Sequence, residues 1–168
     1  MIRILRASKD DVAAVFDLDQ TAWNASGDES TMYDAYTTWR AWVAHGVVII
    51  ARHGDDLIGA SLAFLSTNGL FCLHKVVTHP DWQKPAIANR LLDATLAETD
   101  ALETAVFTVQ NKHREPTLAL FHQHGFYPLP EKREDATHAE LTDAVILTRP
   151  CPNKPPSSAE DYLASIYR

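Results

Sequence analysis

Hydrophobic and polar positions along the chain change period several times, and each change marks an element. Ile2 to Leu5 form a short apolar run that predicts a first strand. Ser8 follows, with Asp11 three residues on, an acidic variant of the capping box that satisfies amides left without acceptors at a helix start. Val12, Val15, Phe16, Asp19, Ala22 and Trp23 then recur at helical spacing, Asp19 being the one polar exception, so an amphipathic helix is predicted over 9–23. Asn24 to Ser30 break the pattern with loop-forming residues. Met32, Ala35, Tyr36, Trp39, Trp42 and Val43 restore it and predict a second helix over 31–44, with Ser30 as its cap.

Three β-type runs come next, 47–52, 57–65 and 70–78, separated by His53-Gly54-Asp55-Asp56 and Ser66-Thr67-Asn68-Gly69. Glycine and asparagine accept the positive φ of tight turns, so an antiparallel meander is predicted. Ile87, Leu91, Leu92, Thr95 and Leu96 return to the helical period over 85–98, and Pro85 is tolerated in the first turn, where its missing N–H costs little. A strand over 105–109, a helix over 116–123 ending at Gly125, and strands over 126–129 and 144–148 complete the order. The charged stretch 131–143 between the last two reads as a solvated loop. The pattern is that of an α+β domain over 1–149. Pro150 to Pro156 cannot continue a central strand, because proline removes ladder donors, and Ser157 with Glu160 introduces a short terminal helix that docks on the domain or on a second subunit.

Composition narrows the function classes. The 168 residues are 46% hydrophobic and 22% charged, as in one globular domain. A formal charge of −7 and the absence of a basic run argue against nucleic acid or an anionic membrane as partner. Cys72 and Cys151 are too few and too far apart for a disulfide framework or a zinc site; Cys72 sits in an apolar run and reads as a buried thiol. The N-terminus lacks the apolar stretch of a signal peptide and no window approaches the roughly 18 apolar residues of a membrane span, so a cytoplasmic protein without a metal is expected.

The stretch Val76-Val77-Thr78-His79-Pro80-Asp81-Trp82-Gln83, together with the order of elements, resembles the GNAT superfamily of N-acetyltransferases over roughly residues 1–149. The family's fourth strand ends in a pattern like L-x-V-x-P-x-[YW]-[QR]-x-x-G-x-[GA], which Val76, Thr78, Pro80, Trp82 and Gln83 match in spacing, with Ala86 where glycine is usual and Ala88 an accepted variant. Leu120-Phe121-His122-Gln123-His124-Gly125-Phe126 resembles a second family piece, L-Y-x-x-x-G-F. The resemblance implies a mostly antiparallel sheet of about seven strands flanked by helices and acetyl-CoA as cosubstrate. It also implies that the backbone of Val76, Val77 and Thr78 binds the pantetheine arm, while Gln83, Lys84, Pro85, Ala86, Ile87, Ala88 and Asn89 wrap the pyrophosphate. Asn111 is the counterpart of a CoA-contacting loop asparagine, although the usual spacing falls nearer Arg114, and Phe121 stands where many members carry a tyrosine acid.

The residues themselves say what this loop can do. Amides converging at a helix N-terminus bind an anion well, and glycine lets the backbone approach closely. Alanine adds only a methyl group, whereas Pro85 deletes a donor. If that donor faces phosphate about 1.5–3 kcal/mol is lost, and if it faces elsewhere nothing is. Lys84 offers a compensating cation. Phe121 can pack but cannot donate a proton, which leaves water, His122, His124 or Tyr127 as the acid. For the base, which must take a proton from a substrate ammonium, His74 leads: strand alternation groups it with Cys72, Val76 and Thr78, and imidazole titrates in the right range. It also resembles a strand histidine of the arylalkylamine branch of the family. His79 reads as a solvent-facing turn residue. A strand amide, such as that of Val77, would stabilise the charge developing on the carbonyl oxygen.

Trp23, Asp28, Glu29, Tyr33, Tyr36 and Trp39 can line an acidic, aromatic entrance for a primary amine on a small molecule or peptide. The expected activity is acetyl transfer by direct attack within a ternary complex. The rivals are a catalytically silent GNAT-fold module that binds acyl-CoA or a protein, and a binder of longer acyl groups.

Overall fold

β1 (Ile2–Arg6) pairs antiparallel with β2 (Val47–His53), Ile2 opposite His53 and Arg6 opposite Ile49. β2 in turn pairs antiparallel with β3 (Asp56–Leu65) through a tight turn at Gly54, whose φ of 62° is the left-handed conformation that glycine adopts without a Cβ penalty. The computed structural model describes residues 1–27, 32–129, 143–156 and 164. Hydrogen bonding orders seven strands β1-β2-β3-β4-β5-β7-β6. With four α-helices among the described residues this is the predicted α+β architecture.

The chain forms two compact units, Met1–Leu65 with Leu73–Glu98, and Ser66–Cys72 with Thr99–Arg168. In the first, Ser8 and Asp11 make the reciprocal capping box expected of them, around a short 3-10 turn, Lys9–Asp11, that leads into α1 (Val12–Ser26). Val12, Val15 and Leu18 of α1 and Trp39 of α2 (Tyr36–His45) pack on Val48, Ile50, Ala60 and Leu62, all but excluded from solvent. The other side of β3 takes α3 (Pro85–Ala101): Ser61 Oγ meets Thr95 Oγ1, and Gly59 faces Ile87 and Leu91. A Cβ at Gly59 would stand 2.9 Å from Leu91 Cδ1 and 3.2 Å from Val77 O, so this close approach of strand to helix favours glycine.

One prediction fails here. The second helix starts at Tyr36, five residues later than the periodicity suggests. Residues 32–35 are non-helical and Met32 is exposed, while Ser30 and Thr31 lie outside the described residues. The cause is Asp34, whose N–H donates to Asp19 Oδ2 at 2.9 Å and whose carboxylate meets Lys75, so its amide serves a distant side chain rather than a helical turn.

In the second unit, β4 (Phe71–Thr78) begins with a parallel ladder to β5 (Val106–Asn111) made by Phe71↔Val106 and Cys72↔Phe107. β5 pairs antiparallel with β7 (Ala144–Arg149), and β7 with the short β6 (Tyr127–Pro128). α4 (Glu115–Gln123) ends before Gly125, at φ 81°, as its sequence predicts. Arg149 clamps Asp100 with two hydrogen bonds of 2.7 and 2.8 Å, a bidentate pair that ties β7 to the end of α3. The predicted terminal helix and the charged stretch 131–142 lie outside the described residues. Among the described residues no helix is long and apolar enough to cross a membrane.

Candidate functional site

A buried polar cluster joins α1, α2, β4 and the segment before α2 in the first unit. Asp19, the lone polar residue on the apolar face of α1, is 3% exposed. Such a carboxylate must be paired to stay ionised, and it is. Lys75 Nζ lies 3.0 and 2.9 Å from its two oxygens, Trp39 Nε1 donates at 3.0 Å, and the Asp34 amide completes the set. Lys75 also lies 2.9 Å from Asp34 Oδ2, so its ammonium bridges two carboxylates.

His74 reaches the same carboxylate, with Nε2 3.4 Å from Asp34 Oδ2. Strict alternation would send His74 and Lys75 to opposite faces, Lys75 with Val77, yet both reach Asp34. The His74 side chain is 39% exposed, open to a water or a substrate. Trp42, stacked on Phe64 at 4.5 Å, and Phe64 itself flank the imidazole at 6.2 and 5.9 Å between ring centres. Hydrogen bonding to His74, aided by Lys75 and opposed by burial, holds the Asp34 carboxyl down at about 2.

That depression makes a prediction for acid stability. The folded value lies below the ordinary 3.8, so the contribution is complete above the ordinary value and is lost as pH falls through the folded one. It is worth on the order of 2 kcal/mol. Urea unfolding of the parent and of Asp34→Asn is expected to differ most near neutral pH and to converge between about pH 4 and pH 2. Curves that stay parallel over that range would remove the pairing.

Below this cluster β4 runs into the loop singled out by sequence. The ladder to β5 uses two of the eight residues of β4, both at its start, so the backbone of Val76 to Thr78 lies beyond it. Val77 packs its side chain on the core of α1 and α2. His79 is not simply solvent-facing: its Nδ1 accepts from the Asp81 amide and its own N–H donates to Ile58 O, fixing the turn Pro80–Trp82. Gln83, Lys84, Pro85 and Ala86 are exposed, Pro85 occupying the first position of α3. Two of the loop amides are turned inward, Lys84 N–H to Trp82 O at 2.6 Å and Ile87 N–H to Lys84 O at 2.9 Å. The side chain of Ile87 is buried against Gly59 and serves as the anchor of the loop. Asn89 spends its side-chain amide on Pro85 O at 2.9 Å. Lys84 Nζ sits 5.5 Å from the centre of the Trp82 ring, whose other neighbour is His53 at 4.7 Å. An exposed helix start with two small alanines and an adjacent cation suits an anion, with fewer free amides than a glycine loop offers.

The aromatic residues proposed for substrate divide. Trp23 contacts Tyr33 edge-on at 5.4 Å, and Tyr33 and Tyr36 both contact Phe16 at 5.9 Å. Trp39, in contrast, is fully buried and cannot line an entrance; its indole is a core group that serves Asp19. Asp28 and Glu29 lie outside the described residues.

In the second unit Phe121 is buried and packs edge-on against Phe126 at 5.2 Å. Asn111 Oδ1 accepts the His113 amide at 2.8 Å, a turn-forming bond at the end of β5. His122 Nδ1 faces Phe126 O and His124 Nδ1 faces Leu120 O, so each ring has one nitrogen committed to a local carbonyl, and Tyr127 is exposed. Cys72 is half-buried, and burial pushes its thiol up to about 11, which leaves it unreactive near neutrality.

Sequence reasoning missed Asp19, Lys75 and Asp34 as a unit. Two signals were on the page: a single acid on an apolar helix face and a single lysine inside the apolar run 70–78. Two such charges, each costly to bury alone, point to one another.

Comparison with solved structures gives the fold independently. YncA of Salmonella typhimurium, solved with acetyl-CoA, superposes with a TM-score of 0.74 at 14% identity over 95% of this chain and 99% of its own. The ribosomal-protein-S18-alanine N-acetyltransferase of Escherichia coli superposes at 0.70 and 15% identity over 90% of this chain and 94% of its own. The PaiA N-acetyltransferase of Thermoplasma acidophilum, in complex with coenzyme A, does so at 0.68 and 12% identity over 89% and 99%. Comparison of the sequence with curated proteins returns no match. The model of the acetyltransferase (GNAT) family matches residues 12–126, a span that includes the whole polar cluster, the loop after β4 and α4. The chain therefore belongs to the GNAT family of acetyltransferases.

Proposed function

We propose that the protein transfers an acetyl group from acetyl-CoA to a primary amine on a small molecule or peptide, by direct attack with both substrates bound. The observation that carries this reading is His74: an open imidazole on β4, two residues before Val76, held beside a carboxylate. Bound acetyl-CoA would supply the thioester carbonyl. In this reading the backbone of Val76 to Thr78 grips the pantetheine arm, and the amide of Val77 or a neighbour donates to the carbonyl oxygen as it gains charge. Gln83 to Asn89 hold the pyrophosphate at the start of α3, with Lys84 supplying charge. His74, or a water it holds, takes one proton from the substrate ammonium, so the amine lone pair can form the new C–N bond as the C–S bond breaks. The departing thiolate takes its proton from water. Trp23, Tyr33 and Tyr36 bind the amine.

Family membership supports acyl transfer, and the complexes of YncA and PaiA with acetyl-CoA and coenzyme A support the cosubstrate. The amine class follows the S18-alanine enzyme by analogy. A second reading, a silent acyl-CoA-binding or protein-interaction module, draws on the donor missing at Pro85, the two inward amides and the buried Phe121. Titration calorimetry with acetyl-CoA is expected to show stoichiometric binding. No heat at millimolar ligand would overturn the enzyme reading, and binding without turnover on any amine would favour the module.

A further inference from the structure

Asp34 has two properties that its part in the fold does not require. Its Oδ2 is buried yet takes no aligned hydrogen bond among the described residues, although Lys75 Nζ and His74 Nε2 lie at 2.9 and 3.4 Å. A buried carboxylate oxygen with unused acceptor capacity is costly unless some state of the site uses it. The segment bearing it is also held from behind, because the Asp34 amide is anchored on Asp19, itself fixed by Trp39 and Lys75. The carboxylate is thus placed without help from His74, with its Oδ2 3.4 Å from the imidazole Nε2.

The charges agree with the geometry. Asp19, Asp34 and Lys75 are two anions and one cation, leaving one negative charge that a proton on His74 would balance. Among the described residues, the rings beside the imidazole, Trp42 from α2 and Phe64 from β3, carry no charge. Catalytic hydrogen bonds are commonly long before substrate binds, so 3.4 Å suits a contact that tightens when the imidazole becomes cationic.

We infer that Asp34 is a positioning residue for His74, accepting its Nε2–H so that Nδ1 is the nitrogen with the lone pair, and balancing the imidazolium formed when Nδ1 takes the proton of the substrate ammonium. The inference rests on the reading of His74 as base. One N–H bond of the ammonium breaks, its electron pair stays on the amine, and Asp34 remains ionised throughout. A carboxyl held at about 2 does not accept the proton itself. Such an aspartate fixes the tautomer and orientation of a histidine rather than relaying protons.

In the intact protein labelled with nitrogen-15, the neutral His74 ring is expected to be the Nε2–H tautomer, and an Nδ1–H tautomer overturns the inference without any variant being made. Asp34→Asn is expected to lower kcat by at least about tenfold with the acetyl-CoA KM unchanged. The acidic limb of its rate profile should move to lower pH, because the imidazolium has lost its counter-charge, and Asp34→Glu should restore part of both effects. A uniform loss of rate with the limb unmoved would mean a structural role only and overturns the inference. Should no amine be acetylated by the parent protein, the functional reading falls, and the tautomer still decides whether Asp34 holds His74.

Discussion

Asp19→Ala is expected to lower the unfolding free energy by about 3–5 kcal/mol, the cost of breaking a buried ion pair from one side. The substitution removes four contacts at once. Among the described residues Lys75 keeps Asp34 as its one carboxylate, the indole N–H of Trp39 is stranded in a fully buried position, and the Asp34 amide loses its acceptor. The segment 32–35 should then loosen, held to α1 by the ring contacts of Tyr33 with Phe16 and Trp23 and no longer by the Asp34 amide. Urea unfolding followed by tryptophan fluorescence measures both effects, because Trp39 is the reporter closest to the damage. Asp19→Asn should cost less, as its side-chain oxygen can still accept from Trp39. Removing both charges in an Asp19→Leu, Lys75→Met double variant should recover much of the loss, because an apolar pair leaves no uncompensated charge. A loss below about 1 kcal/mol for Asp19→Ala would mean that water already shares the site.

The largest expected effect on activity belongs to His74→Ala. If His74 is the base, turnover should fall by about 10²- to 10⁴-fold, with little change in the KM for acetyl-CoA, since the imidazole is not among the groups proposed to grip the cosubstrate. The residual rate should rise with pH as free amine replaces ammonium in solution. The shape of the profile therefore separates loss of a base from loss of packing around Trp42 and Phe64, which would lower the rate at every pH alike. A variant whose turnover and pH profile both match the parent would remove His74 from the mechanism.

Much of this was legible in the chain, for local reasons. Ser8 and Asp11 are three residues apart, and their capping box depends on nothing else in the molecule. Pro85 and Gly125 mark a helix start and a helix end through φ values that their own covalent structure favours. The β runs separated by Gly54 paired antiparallel, β2 with β3, as alternation and turn chemistry predict. The motif stretch from Val76 to Gln83 led to the right family because its spacing survives in one continuous piece of sequence.

The second helix shows where local reading stopped working. Met32 and Ala35 continue the helical period of Tyr36, Trp39 and Trp42, so periodicity joins them. Their backbone is non-helical because Asp34 answers to Asp19, 15 residues earlier, and to Lys75 on β4. Trp39 has the same history: as an aromatic of the second helix it reads as core or as a lining of the entrance, and the fold decides for core, wholly burying it and turning its N–H to Asp19.

The sequence by itself determined the strands, the helix ends marked by Pro85 and Gly125, the family and a histidine suited to proton transfer, because each depends on residues close together in the chain. Only the tertiary structure decided which charge faces that histidine. Asp19, Asp34, His74 and Lys75 come from three separate stretches, and burying their charges is tolerable only where the fold brings opposite signs within about 3 Å.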